Sequence, residues 1–132
     1  MQVLKKIWVL MLVILVTLPL NANAEDSDPI LIKAHATAYC LPGKTASGTE
    51  VREGICAMSD PNLIGMTAVV YQRMPDGSIG SYIGTYEIED TGCSDNVIDV
   101  WCTEEDCQGF MDKVYENGCK GKVYVQLVNA KG

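Results

Sequence analysis

The sequence is poor in the side chains that usually hold metal ions or nucleic acid. It has one histidine, His35, and no C-x-x-C pair, whereas zinc sites combine several histidine or cysteine ligands at short spacings. The chain has 10 basic and 17 acidic residues, which gives a formal charge of −7. The basic residues form no continuous stripe along the chain. Nucleic acid and anionic membrane surfaces both attract basic segments. We therefore expect no metal, no other cofactor and no nucleic-acid partner.

Long apolar runs are also scarce, and the longest one lies at the N-terminus. Residues 7–20 form an unbroken apolar segment that is too short to favour a transmembrane helix. Lys5 and Lys6 precede it, and Ala22-Asn23-Ala24 follows it with the small-residue pattern of a signal-peptidase site. The pattern predicts cleavage before Glu25, and a retained membrane anchor is the alternative.

Cleavage at this point divides the chain into three parts. Residues 1–24 are the predicted signal peptide, residues 25–31 a flexible polar tail, and residues 32–132 a single folded domain. Loss of Lys5 and Lys6 with no acidic residue takes the formal charge from −7 to −9. We expect a protein of the cell envelope or the extracellular space, outside the cytoplasm, with no stable membrane insertion after cleavage.

The cysteines fit an exported protein. Their number is even, and all of them follow the predicted signal peptide. Oxidising compartments favour structural disulfides over zinc or redox chemistry for such a set. Six cysteines allow fifteen pairings, so the connectivity stays open. The predicted disulfide residues are Cys40, Cys56, Cys93, Cys102, Cys107 and Cys119.

Alternating and β-rich runs predict six short strands, and one late segment has helical periodicity. Thr103 followed by three acidic residues is typical of a helix start, and Asn117-Gly118 of its end. Six short strands with one late helix favour a mainly β fold that closes into a small barrel. The predicted strands span residues 32–39, 54–58, 66–73, 79–89, 97–101 and 122–128.

Two aspartates flank a polar turn between the last two strands before the helix. Asp90 precedes the turn, and Asp99 follows it in the apolar run Ile98-Asp99-Val100. A carboxyl held in such a strand loses hydration, which raises its pKa. Asp99 is therefore a candidate acid. The alternative is that Asp90 and Asp99 only cap loop amides, as aspartates in turns often do.

A loop rich in hydroxyl groups and glycine separates the first two predicted strands. Residues 41–50 include Thr45, Ser47, Gly48 and Thr49. Such a segment is either an ordinary turn or one wall of a sugar-binding site, where hydroxyls and bare amides hydrogen-bond the ligand.

Several short blocks occur in a characteristic order between residues 33 and 128. They resemble successive blocks of the 3D domain, a family named for three aspartates and found in the membrane-bound lytic transglycosylase A family and in stationary-phase survival proteins. The blocks are Ala36-Thr37-Ala38-Tyr39, Thr45-Ala46-Ser47-Gly48, Gly54-Ile55-Cys56-Ala57 leading to Asp60-Pro61, Ile64-Gly65, Glu89-Asp90-Thr91-Gly92 and Asn96-Val97-Ile98-Asp99-Val100-Trp101.

The resemblance implies a six-stranded double-psi β-barrel with one short late helix. It also implies a peptidoglycan lytic transglycosylase, which cleaves the β-1,4 bond between N-acetylmuramic acid and N-acetylglucosamine and leaves 1,6-anhydro ends. Asp60, Asp90 and Asp99 match the three namesake aspartates, with Asp99 at the position of the catalytic acid and Asp90 beside it. The substrate-binding candidates are Asp60, Thr45, Ser47, Gly48 and Thr91.

The carboxylates suit this chemistry, because a lytic transglycosylase requires one carboxyl group that acts first as acid and then as base. A hydrolase would need a second carboxylate about 5–10 Å away, and Asp90 or Asp60 could fill that role. The alternative from another class is a non-catalytic, expansin-like module that binds or loosens the cell wall. Fold alone does not decide between an enzyme and a binding module.

Overall fold

The computed structural model describes residues 30–129. The predicted signal peptide, residues 1–24, lies outside this range, as do residues 25–29 of the predicted tail. Ile30 and Leu31 were predicted to belong to the tail, but they pair with the last strand opposite Leu127 and Gln126. The first strand therefore begins two residues earlier than predicted, because pairing with a distant strand extends it.

Within the described range the chain forms six strands and one α-helix, as the sequence predicts. Two short 3₁₀ segments, Pro61–Leu63 and Glu116–Gly118, complete the elements. No helix among residues 30–129 is long and apolar enough to span a bilayer. The strands are β1 (Ile30–Tyr39), β2 (Ile55–Ala57), β3 (Thr67–Arg73), β4 (Ile79–Asp90), β5 (Val97–Trp101) and β6 (Lys122–Val128), and helix α1 (Glu104–Tyr115) lies between β5 and β6.

The six strands form one sheet that closes into a barrel in the order β1-β5-β2-β4-β3-β6, with β6 pairing back onto β1. Two neighbouring pairs, β1 with β5 and β2 with β4, are parallel, and the other four pairs are antiparallel. Closure leaves no strand edge unpaired. It also brings segments that are far apart in sequence onto one outer surface.

The barrel interior follows from the period-2 alternation of side chains along each strand. On β5, Ile98 and Val100 are buried in the core while Asp99 faces outward. Helix α1 adds Phe110 and Val114 to the same core. The helix begins after Thr103, whose hydroxyl oxygen accepts a hydrogen bond from the Asp106 amide at 3.2 Å.

One polar side chain is completely buried in the barrel. Gln72 on β3 donates to the Lys113 carbonyl oxygen at 2.9 Å and accepts from the Ser81 amide at 3.3 Å and from Asn117 Nδ2 at 3.1 Å. Each polar group of Gln72 therefore has a partner, as buried polar groups require. These bonds fasten the C-terminal end of α1 to the barrel wall.

Candidate functional site

Strand register places two of the three predicted aspartates in one row on the outer surface of the barrel. Thr37 on β1 lies opposite Asp99 on β5, Asp99 lies opposite Ala57 on β2, and Ala57 lies opposite Asp90 on β4. Neighbouring strands are about 4.8 Å apart, so the Asp90 and Asp99 backbones are separated by roughly 10 Å. Ala57, which is buried, occupies the intervening position on β2.

Asp99 lies in a partly desolvated environment. Its side chain is half-buried, and Oδ1 accepts a hydrogen bond from the Thr37 hydroxyl at 2.7 Å. Burial raises the pKa of Asp99, and the negative charge of Asp90 raises it further, while the Thr37 bond opposes both effects. The balance leaves the pKa of Asp99 above its ordinary value, so the protonated form is more populated than it would be on an exposed aspartate.

Asp90 serves a different purpose, because it holds the loop of residues 41–50 against the barrel. Its Oδ1 accepts from the Ala46 and Thr91 amides, both at 2.9 Å, and its Oδ2 accepts from the Tyr39 hydroxyl at 3.2 Å. Three donors therefore converge on the Asp90 carboxyl group. Burial raises the pKa of Tyr39, and the charge of Asp90 adds to the effect, so this hydroxyl stays protonated. The capping role considered as an alternative therefore describes Asp90, but not Asp99.

The three loop residues predicted to bind substrate occupy different positions. Thr45 is buried, and its hydroxyl lies 2.9 Å from Ser47 Oγ and 3.0 Å from Thr49 Oγ1. Ser47 and Gly48 are exposed at the loop surface, where Gly48 adopts a φ of 94° that favours glycine. Thr45 thus supports the loop from within, and Ser47 and Gly48 form its accessible part. The substrate contacts predicted for these three residues stay a prediction.

Asp60 and Thr91 are engaged with the backbone beside the row. Asp60 is exposed, and its Oδ1 accepts from the Asn62 amide at 2.9 Å, which caps the 3₁₀ turn. Thr91 donates from its hydroxyl to the Ser59 carbonyl oxygen at 3.2 Å. The register that aligns Asp90 with Asp99 does not include Asp60, so the structure gives Asp60 a capping role and Thr91 a positioning role.

A third acidic residue, Glu89, lies near the row and has a lowered pKa. Arg52 donates to both carboxylate oxygens of Glu89, at 2.9 and 2.6 Å, and Thr49 donates to the same group at 2.6 Å. The Arg52 hydrogen bond is the main reason that the pKa of Glu89 falls to about 2. Glu89 cannot supply a proton near neutral pH, and instead anchors the far end of the loop.

Sequence reasoning missed Thr37 and Tyr39 as site residues. Both face outward on β1, where they alternate with Ala36 and Ala38. Polar side chains at alternate positions, separated by alanines, indicate that one side of the strand faces out of the core and can contact a neighbouring element. That signal was present, but the sequence does not show that β5 is the neighbour.

The surface beside the loop of residues 41–50 is concave. A cavity of about 510 Å³ lies between the 41–50 loop and Trp101, and Cys40, Pro42 and Lys44 contribute to its lining. Trp101 pairs with Tyr39 two residues beyond Asp99, and its indole N–H donates to the Leu41 carbonyl oxygen at 3.0 Å. Trp101 lies on the same outward face of β5 as Asp99, and the cavity that it lines has the size of a small-ligand site, although neither Asp90 nor Asp99 contributes to its lining.

All six cysteines are free thiols in the structure, where disulfides were predicted, and the oxidation of these thiols stays a prediction. Cys102 precedes the N-cap residue of α1, and Cys107 is the fourth residue of the helix. Side chains at these two positions often pack against each other at the start of a helix. Burial raises the pKa of Cys56, and the neighbouring Cys93 adds to the effect, so these two thiols lie near one another. Cys119 is buried with its sulfur 3.7 Å from the Met74 sulfur.

Among residues 30–129, no group of three or more histidine, cysteine, aspartate or glutamate side chains is arranged to hold a metal ion. No protein-family model, curated protein or solved structure matches this chain.

Proposed function

We propose that this protein is a peptidoglycan lytic transglycosylase of the 3D-domain type, with Asp99 as its acid and base. The single observation that carries the proposal is the environment of Asp99. This residue is the one carboxyl group of the row that is not committed to backbone amides, and burial together with Asp90 raises its pKa. General acid catalysis near neutral pH requires a carboxyl group of this kind.

In the proposed reaction the Asp99 carboxyl group donates its proton to the glycosidic oxygen while the bond from that oxygen to C1 of the muramic acid breaks. The resulting Asp99 carboxylate then accepts the proton of the C6 hydroxyl while O6 bonds to C1. The products are a free 4-hydroxyl on one sugar and a 1,6-anhydro ring on the other, and Asp99 is again protonated. Thr37 orients the carboxyl group, and the Asp90 charge favours its protonated form.

The geometry supports one catalytic carboxyl group in preference to two. Each oxygen of Asp90 is bonded to a group that positions the loop or the barrel wall. Recruiting Asp90 as a base or nucleophile would disrupt these bonds. The exposed Ser47 and Gly48 and the cavity beside Trp101 provide polar and aromatic surface for sugar rings on either side of the cleaved bond.

The finer fold assignment belongs to the same proposal. A closed six-stranded barrel with two parallel pairs, each joining strands that do not follow one another in the chain, supports a double-psi barrel. The peptidoglycan partner and the location in the cell envelope rest on the predicted signal peptide together with this fold.

The test is mass spectrometry of purified peptidoglycan after incubation with the protein lacking residues 1–24. The proposal predicts fragments with 1,6-anhydro ends. Fragments with ordinary reducing ends would show hydrolysis instead, and would require Asp90 to leave its loop contacts and act as a second carboxylate. Binding to the polymer without any new ends would contradict catalysis and favour the expansin-like module.

A further inference from the structure

The outer surface formed by β1, β6 and β3 collects basic side chains that are far apart in sequence. Lys122 on β6 pairs with His35 on β1, and both side chains face outward. Arg73 at the end of β3 reaches across both strands, donating to the Val123 carbonyl oxygen at 3.2 Å and to the Ala34 carbonyl oxygen at 3.1 Å. Ala34 is the residue before His35, and Val123 is the residue after Lys122, so the guanidinium group lies close to both positions.

The adjacent row adds one more cation and two aromatic rings. Lys33 pairs with Tyr124, and Tyr124 pairs with Tyr71 on β3. The Arg73 guanidinium lies 5.7 Å from the centre of the Tyr124 ring. Three cations, Lys33, Arg73 and Lys122, together with the imidazole of His35 that lies among them, form the surface that we call the cationic face, and the two tyrosines form its apolar border.

The cationic face has no acidic partner in the described part of the chain. The ion pairs found among residues 30–129 join Arg52 to Glu87 and Glu89, on another side of the barrel. Asp76, in the hairpin after β3, is bonded to the Ser78 hydroxyl and amide. Like charges on neighbouring strands repel one another, and an anion bound at the cationic face would relieve this repulsion.

The cationic face is continuous with the aspartate row. His35 and Thr37 are successive outward residues on β1, and they lie opposite Val97 and Asp99. Two residues along a strand span about 7 Å. A polymer bound at Asp99 can therefore extend onto the cationic face without leaving the surface of the barrel.

We infer that the cationic face binds the carboxylate groups of peptide stems carried by the same glycan strand that is cleaved at Asp99. This inference rests on the proposed function. Charge complementarity identifies an anionic group, and continuity with the aspartate row identifies a group attached to the substrate rather than a separate partner. Tyr71 and Tyr124 offer apolar surface for the peptide backbone next to these carboxylates.

The test measures binding rather than cleavage, using Asp99→Asn protein and two insoluble polymers in co-sedimentation assays. One polymer is intact peptidoglycan, and the other is the same material with its peptides removed by an amidase. Lys122→Gln should weaken binding to the intact polymer by about two- to fivefold, the range of a single exposed ion pair, and leave binding to the stripped polymer unchanged. Lys122→Arg should retain binding. Lys113→Gln, an equal charge change at an exposed lysine on α1, is the matched control.

Added salt should remove the difference between the two polymers, because exposed charges are screened. The inference is overturned if Lys122→Gln and Lys113→Gln bind the intact polymer equally, or if Lys122→Gln loses binding to both polymers equally. It is also overturned if a phosphodiester polymer such as teichoic acid, or an oligonucleotide, displaces the protein while free stem peptide does not. Because no cleavage is measured, failure to find anhydro products would not affect this result.

Discussion

Replacement of Asp90 by asparagine separates the electrostatic effect of this residue from its structural role. Asparagine retains an oxygen that can accept from the Ala46 and Thr91 amides, and its amide nitrogen can donate to the Tyr39 hydroxyl oxygen. The loop should therefore stay in place while one negative charge disappears from the row. At a separation of about 10 Å, two unit charges repel by roughly 0.4 kcal/mol in water and roughly 1.7 kcal/mol at an effective dielectric constant of 20.

Removal of this repulsion lowers the pKa of Asp99, so Asp99 loses its proton at a lower pH. The basic limb of the kcat/KM profile should move downward, while the rate at the optimum should stay within about tenfold of the unmodified protein, because about 1.4 kcal/mol corresponds to tenfold. The assay is release of anhydro products across a pH series. Asp60→Asn is the matched control, since it removes the same charge at a capping residue outside the row. A basic limb that stays fixed, or moves equally in both variants, would refute the reasoning.

Three further changes test neighbouring contacts. Thr37→Val removes the hydrogen bond that lowers the pKa of Asp99, so the basic limb of the same profile should move upward; a downward move would contradict the assignment. Gln72→Leu leaves buried polar partners unpaired and should lower the free energy of unfolding by about 3 kcal/mol, measured by urea denaturation. Arg52→Gln removes the main cause of the low pKa of Glu89. A carboxyl group whose pKa is lower in the folded than in the unfolded protein stabilises the fold at pH values above the unfolded pKa, which is near 4.3 for glutamate. The variant should therefore be less stable than the unmodified protein at pH 7. That deficit should shrink as pH falls toward 2, as thermal unfolding at several pH values would show.

The element types could be predicted because they depend on local patterns. The alternation of buried and outward residues in β5 and the helix-start residues from Thr103 onward each extend over only a few residues. Both elements form where they are predicted. The 3₁₀ turn after Asp60 also depends on a local contact, since the Asp60 side chain accepts from the Asn62 amide two residues later. The start of β1 was misplaced because residues 30–31 depend on pairing with β6.

The site was only partly predictable because strand pairing assembles it. The flanking residues Ile98 and Val100 indicate a partly buried Asp99, and the structure confirms that position. The contact with Thr37 depends on the parallel pairing of β1 and β5, whose partners are 62 residues apart. Nothing in the local sequence specifies that neighbour.

The same limit applies to the charge distribution. The sequence has no basic stripe, and its formal charge is −7. The barrel nevertheless brings Lys33, Arg73 and Lys122 together from three strands. Inspection of the sequence detects a cluster of basic residues only when its members lie within one segment of the chain.

The central claim is that the Asp99 carboxyl group performs both proton transfers, and Asp99→Asn tests it most directly. The amide is nearly isosteric, and its oxygen can still accept from Thr37, but it cannot transfer the proton. Incubation of peptidoglycan with the variant, followed by mass spectrometry of the fragments, should show no 1,6-anhydro ends, while circular dichroism shows an unchanged fold. A folded Asp99→Asn protein that produces anhydro ends at the rate of the unmodified protein would contradict the account.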